Sequence, residues 1–379
     1  MNHILIRKIR TVLRYLNPPA ADRAYIAQMQ GAGQFDRDFY LTSNPRLKRL
    51  FHLWPERHYV QMGEANGLCP NPRFSPRAYL FHNPDLARPG LQPLLHYIET
   101  GAAENRLVLA PLGSGVPCGA DLPVITPADR PDPAAPVAVL LHIYYADFWE
   151  EMAPLLATQN FAFDLFVTLT ERDGAAALEA RIKSAFPDVR LWRLPNHGRD
   201  IFPFVHLVNA GLFARYAAIC KLHSKKSPHR ADGEDWRRHL IAGVLGAPDV
   251  TQQRLTRFIE DTTAGFWVSD GQLYEGDNWW GANRPRATQL LARAQIDPGP
   301  GPLRFPAGSI YWIKPQVLAQ LISLGLGADD FEPEQALVDG TTAHAIERIM
   351  GALAQANALQ IVQARTLQTP DLDPEPQSR

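Results

Sequence analysis

From residue 137 onward short apolar runs alternate with helical stretches, and this alternation restricts the fold more than any other feature of the chain. Residues 137–144 are nearly all apolar, as expected of a parallel strand covered on both faces. A helical stretch over 148–159 and a strand over 163–170 follow. Then come a helix at 175–186, a strand at 189–194, a helix at 201–216 and a strand at 217–222. Alternation at this pace predicts an α/β fold with a doubly wound, mostly parallel sheet. Such sheets bind ligands at the carboxyl ends of their strands, so polar segments just after strands are the first places to look for chemistry.

The chain ahead of residue 137 is built differently. In residues 1–20, Ile4, Leu5, Ile9, Val12, Leu13 and Leu16 recur at near-helical spacing, and Arg7, Lys8, Arg10 and Arg14 add positive charge with no acid between them. Such a basic amphipathic helix can lie in a membrane interface or dock on its own domain. Pro18 and Pro19 should end it. Residues 21–106 contain an internal repeat. Phe35-Asp36, Tyr40-Leu41 and Asn44-Pro45 return as Phe74-Ser75, Tyr79-Leu80 and Asn83-Pro84. His58-Tyr59 and Gly63 return, one residue out of step, as His96-Tyr97 and Gly101. Each copy reads as a helix, an Asn-Pro turn and a second helix ended by glycine, giving a small α-helical two-repeat module. Its aromatics and histidines read as core and turn residues. Seven prolines from Pro111 to Pro136 mark residues 107–136 as a linker; residues 137–362 then form the second domain, and residues 363–379 read as a disordered tail.

Composition narrows the functional classes. A chain of 379 residues can bury two cores, and a net charge of -1 gives no reason to expect nucleic-acid binding. Cys69, Cys118 and Cys220 match no zinc spacing, and their odd number favours a reducing compartment. No apolar run approaches the roughly 18 residues needed to span a bilayer, and no signal peptide is evident. The expectation is a cytoplasmic protein able to sit peripherally on the inner face of the membrane.

Two polar segments follow strands. Asn196-His197-Gly198-Arg199-Asp200 opens a helix. Its glycine permits a tight turn, its helix start offers free amides to an anion, Arg199 can pair with phosphate and Asp200 can hold a hydroxyl. It also fits an ordinary capped turn. Lys221-Leu222-His223-Ser224-Lys225-Lys226-Ser227 follows the fourth strand. A solvated basic loop is the ordinary reading of such a run, but its place and its mixture of cations with hydroxyls favour a pyrophosphate site.

Together with Phe305-Pro306-Ala307-Gly308-Ser309, Val338-Asp339-Gly340-Thr341 and His344-Ala345-Ile346-Glu347-Arg348, these motifs occur in family order. The set resembles the rhamnan synthesis protein F family across about residues 137–362, and the repeat ahead of it looks like modules fused to bacterial glycosyltransferases. The layout also looks like the glycosyltransferase A architecture.

The resemblance implies a glycosyltransferase that moves rhamnose, with inversion, from a nucleotide sugar such as dTDP-L-rhamnose to a growing lipid-linked surface glycan. Its partners would be that donor, that acceptor, the inner-membrane surface and other polysaccharide-assembly proteins. Asn196, Gly198, Arg199, Asp200, Lys221, His223, Lys225, Lys226 and Ser227 are the expected donor-binding residues. Gly308, Ser309, Trp312, His344 and Arg348 are expected to line the cleft. Inversion needs one general base near the acceptor hydroxyl; Asp339 is the first choice and Glu347 the second. Many glycosyltransferase A enzymes carry an Asp-any-Asp metal motif where this chain has His223, Lys225 and Lys226. Fixed cations can neutralise a leaving diphosphate in place of an ion, so no metal or other cofactor is expected. Asp270, Glu275 and Asp277 remain alternative ligands. A non-catalytic scaffold of a polysaccharide-assembly complex, or transfer of another hexose, are the alternatives.

Overall fold

The computed structural model describes residues 13–44, 47–71, 73–86, 88–106, 108, 112–113, 122–125, 132–224, 233–299, 301–332 and 339–367. The chain divides into two compact units. One comprises Met1–Pro111, Gly276–Gln289 and Leu337–Ala345; the other comprises Leu112–Glu275, Leu290–Ala336 and Ile346–Arg379. Most of residues 107–131 lie outside the described residues, as do residues 1–12 and 368–379.

The second unit is an α/β fold with a mixed central sheet and flanking helices. Its strands are β1 (Val137–Ile143), β2 (Phe163–Thr170), β3 (Arg190–Leu194), β4 (Ala218–His223), β5 (Ala264–Val268), β6 (Leu273–Glu275), β7 (Arg304–Pro306), β8 (Tyr311–Ile313) and β9 (Gln360–Gln363). The main sheet runs β3-β2-β1-β4-β8-β5-β9, while β6 and β7 form a separate antiparallel ribbon. Strands β3, β2, β1 and β4 pair in parallel, as do β5 and β9. The short β8 runs antiparallel to both of its neighbours.

Side chains alternate across the sheet, because successive residues of a strand point to opposite faces. On one face Val139, Leu141, Val167, Leu169, Cys220 and Leu222 join a core with Trp149, Met152, Ile182, Leu240 and Trp312. The register pairs Leu140 with Lys221 and His142 with both His223 and Thr168, so these polar residues share the other face. Chain order leaves β1 in one direction for β2 and β3 and resumes on its other side with β4, which makes the β1–β4 boundary a switch point. The helix expected over 201–216 ends at Asn209, where the amides of Ala210 and Gly211 turn back to His206 and Val208.

In the first unit each repeat copy has the same geometry. The helix Arg37–Ser43 leads to Pro55–His58, which widens into a π-turn over Tyr59–Gly63. Pro76–His82 leads likewise to Pro93–His96 and a π-turn over Tyr97–Gly101. The Tyr40 hydroxyl meets His58 Nδ1 at 2.8 Å, and the Tyr79 hydroxyl meets His96 Nδ1 at 2.9 Å. A Cβ on Gly63 or Gly101 would lie 2.2 Å from those same tyrosine oxygens, so both positions require glycine. Burial holds the His58 ring neutral, its pKa lowered to about 4.

Buried Glu64 joins the copies. Its Oε1 accepts from the Tyr25 hydroxyl at 2.8 Å, the Tyr59 hydroxyl at 3.3 Å and the Leu94 amide at 2.7 Å. No helix among the described residues is long and apolar enough to cross a membrane.

Candidate active site

Strand β4 is buried along its whole length, yet Lys221 lies in the middle of it with only 1% of its surface exposed. An ammonium carries three donors and is costly to bury without partners. Lys221 Nζ is 2.6 Å from Asp200 Oδ2, 3.0 Å from the Ser309 carbonyl and 2.8 Å from Ser309 Oγ. The rings of Phe204 and Tyr311 stand 5.5 and 5.6 Å from the same nitrogen. Lys221 therefore fastens the 196–200 turn and the 305–309 turn to the central strand.

His223, two residues further on and on the same face, has Nε2 3.1 Å from the Gly308 carbonyl and 3.8 Å from Asp200 Oδ2. A carbonyl can only accept, so this nitrogen carries a proton. The amide of Gly308 donates to Glu347 Oε1 at 3.0 Å. Glu347 also pairs with Arg348 at 3.0 Å, and the Arg348 guanidinium lies 4.4 Å from the Phe305 ring centroid. Gly308 and Ser309 both have positive φ, 90° and 58°, and a Cβ on Gly308 would come within 2.8 Å of Leu240. Four separate motifs thus converge on one polar node.

Next to the node, the switch point between β1 and β4 is bridged by Ser224. Its amide donates to the His142 carbonyl at 2.9 Å, and its hydroxyl accepts from the amides of Tyr144 and Tyr145 at 2.7 and 3.1 Å. His142 Nδ1 meets Thr168 Oγ1 at 2.9 Å. Burial, helped by the charge of Lys221 and opposed by Asp200, lowers the His142 pKa to about 4, so the ring is neutral near pH 7. A cavity of about 260 Å³ opens at the carboxyl ends of β1 and β2, lined by Tyr144, Tyr145, Asp147, Thr170, Arg172 and Asp173 among others. Arg172 donates to the Tyr144 carbonyl at 3.0 Å, with its guanidinium 5.0 Å from that ring's centroid. Sequence reasoning missed these residues. Their signal was position alone, Tyr144 and Tyr145 closing the first apolar run and Arg172 following the second.

The model of a family described as rhamnan synthesis protein F matches residues 122–359. The chain belongs to the rhamnan synthesis protein F family. This places it in a polysaccharide-biosynthesis context. Two curated relatives from strains of Xanthomonas campestris pv. campestris, each named "Uncharacterized protein WxcX", are 32% and 31% identical over 213 residues. The alignment covers 56% of this chain and 30% of each relative, so the chain spans less than a third of their length.

The other expected site residues are distributed unevenly over the family's matched span. Asn196 is exposed, and Arg199 is half-buried with a φ of 59° that follows the positive φ of Gly198. His197 lies within 2.7 Å of the Ala328 carbonyl. Lys225, Lys226 and Ser227 lie outside the described residues.

Trp312 requires correction. It pairs with Cys220, on the face opposite Lys221, and is wholly buried. Its ring stacks on Trp267 at 5.7 Å and its Nε1 donates to the Val244 carbonyl at 2.8 Å, so no face is left for a sugar.

Asp339 and His344 belong to the first unit. Asp339 Oδ2 accepts from the Ala282 amide at 2.8 Å and Oδ1 from the Asn283 side chain, while Asn283 Oδ1 accepts from the Gly340 amide at 2.9 Å. His344 Nδ1 is 2.8 Å from Thr341 Oγ1. Of the alternative metal ligands, Glu275 pairs with Arg304 at 3.1 Å, Asp277 with Arg284 at 3.7 Å, and Asp270 accepts from the Arg365 amide at 2.9 Å. No three His, Cys, Asp or Glu side chains among the described residues gather into a group able to hold a metal ion.

Proposed function

We propose that this chain is an inverting glycosyltransferase of glycosyltransferase A-like architecture that transfers rhamnose from a nucleotide donor to a growing lipid-linked surface glycan. The observation that carries this reading is the node around Lys221, where four motifs meet on the carboxyl half of β4, toward the end at which parallel strands generally bind ligands. The parallel β3-β2-β1-β4 half, with its switch point beside a cavity of nucleoside-sized volume, supports it. In the reaction the bond from the anomeric carbon to the diphosphate oxygen breaks, and the acceptor oxygen bonds to that carbon from the opposite face. The acceptor proton passes to a carboxylate. Negative charge grows on the departing diphosphate, and Arg199, His223, Lys225 and Lys226 are the cations assigned to receive it without a divalent ion.

Of the two carboxylates, Glu347 is the stronger candidate base, because it is held against the Gly308 turn beside the node. Asp339, which belongs to the first unit and accepts there from Ala282 and Asn283, is the second candidate. The deciding experiment incubates the full chain with a panel of labelled nucleotide sugars and lipid-linked acceptor fractions, with and without EDTA. Transfer from dTDP-L-rhamnose that persists in EDTA and falls at least 100-fold in Glu347→Gln is expected. No donor-dependent thermal stabilisation and no transfer from any sugar would leave the scaffold reading in its place. Transfer restored only by magnesium or manganese would overturn metal independence.

A further inference from the structure

Six large apolar side chains are strongly exposed among the described residues, and four of them belong to two segments of the first unit that pack on each other. Leu13 and Leu16 are 59% and 48% exposed, and Leu53 and Trp54 are 57% and 36% exposed. Between them lies Tyr15, wholly buried, with its hydroxyl donating toward the carbonyls of Leu50 and Trp54 and accepting from the Trp54 amide. Its ring meets Phe51 edge-on at 5.1 Å. Arg57 donates to the Tyr15 and Leu16 carbonyls at 3.2 and 3.0 Å and places its guanidinium 4.3 Å from the Trp54 ring centroid. The end of the N-terminal helix and the Arg49–His52 turn are therefore clamped together, while the leucines and the tryptophan beside the clamp stay in water.

The surrounding charge is positive. Arg14, Arg37, Lys48 and Arg49 are exposed. Asp22 pairs with Arg14 at 2.9 Å and Glu56 lies near Arg37 at 3.9 Å, so the surplus positive charge rests on Lys48, Arg49 and Arg57. A net charge of -1 for the chain makes this basicity local.

We propose that this clamped surface docks on an anionic lipid bilayer, with Leu13, Leu16, Leu53 and Trp54 entering the interface and the arginines and lysines at headgroup level. Tryptophan with an arginine over its ring suits a boundary that is apolar on one side and wet on the other. The four side chains expose roughly 400 Å² between them, about half of the ~800 Å² per partner that stable protein interfaces bury. Interfacial lipid binding needs only a few apolar anchors and an electrostatic attraction. The surface uses none of the residues of the Lys221 node, so the proposal survives or fails independently of the transfer reaction.

The test is sedimentation of the full chain, without donor or acceptor, with vesicles of phosphatidylcholine alone and of equal parts phosphatidylcholine and phosphatidylglycerol. Wild type should pellet with the anionic vesicles and not the neutral ones, and high salt should weaken the association. Leu53→Ser/Trp54→Ser should reduce the partition coefficient at least 10-fold. Leu13→Ser/Leu53→Ser, which keeps the tryptophan and its arginine, should do the same if the first pair disturbs folding. Undiminished binding by both double variants would overturn the proposal. So would failure of wild type to bind either vesicle, or loss of self-association rather than of vesicle binding in the variants.

Discussion

Lys221 in the α/β unit and Glu64 in the repeat unit are both charged residues in buried places, and they are accommodated in opposite ways. Lys221 is met by a carboxylate, Asp200, together with the carbonyl and hydroxyl of Ser309. Glu64 meets two tyrosine hydroxyls and an amide, and its donors among the described residues are all neutral. Burial therefore raises the Glu64 carboxyl pKa, opposed by those hydrogen bonds. The repeat unit uses an acid where a neutral acceptor would serve. The α/β unit instead retains an ion pair near the carboxyl end of β4, the end at which sheets of this kind generally bind ligands. A buried pair is a poor way to gain stability over apolar packing, so its presence there is better explained by what it positions.

Three measurements sharpen or break this contrast. Lys221→Met should have the largest effect, because it removes the buried ammonium that pairs with Asp200 and donates to both Ser309 oxygens. Breaking a buried pair in this way costs about 3–5 kcal/mol, read by urea denaturation. A loss below about 1 kcal/mol would mean that the node is not held by charge.

His142 supplies the next. Its folded pKa of about 4 lies below the ordinary 6.5, so the unfolded chain takes up a proton that the native ring refuses. Stability is full above pH 6.5 and falls as the pH drops to about 4, by about 3 kcal/mol in all. His142→Gln should remove this part of the acid sensitivity, and parallel pH profiles for the two proteins would refute the assignment.

Glu64→Gln should have the smallest effect. The amide oxygen can accept the same three hydrogen bonds, so the change should stay within about 1 kcal/mol. Because the Glu64 pKa is raised, its contribution is full below the ordinary value of 4.5 and lost as pH rises through the folded value. The variant should therefore gain on wild type as pH increases over that window. A large loss at neutral pH would show that Glu64 is needed as a carboxylate, and the contrast with Lys221 would disappear.

The parallel half of the sheet was legible because β1 and β2 are long, largely apolar runs separated by a helix, as parallel strands covered on both faces should be. The direction of β8 was not, since three residues carry too little periodicity to announce one, and its register, with Trp312 opposite Cys220, puts Trp312 in the core. The motifs around the site were visible as turn chemistry and charge, but their connections were not. Lys221 closes the predicted strand and reads as the start of a basic loop, whereas it is buried within β4 and faces Asp200, 21 residues before it, and Ser309, 88 residues after it. Asp339 and Glu347 looked alike as late acids. Only their partners separate them, Ala282 and Asn283 for one and Gly308 for the other.

The tyrosine hydroxyl that fills the glycine notch of each repeat copy works as a gauge block. From Tyr40 to His58 is 18 residues and from Tyr79 to His96 is 17, yet histidine and notch are five positions apart in both copies. One oxygen atom, wedged between a ring nitrogen and a bare Cα, sets the spacing of the two helices whatever the length of the segment joining them. Insertions between tyrosine and histidine should pass almost unnoticed, whereas one extra residue between histidine and glycine would carry the notch off the oxygen and unseat the copy.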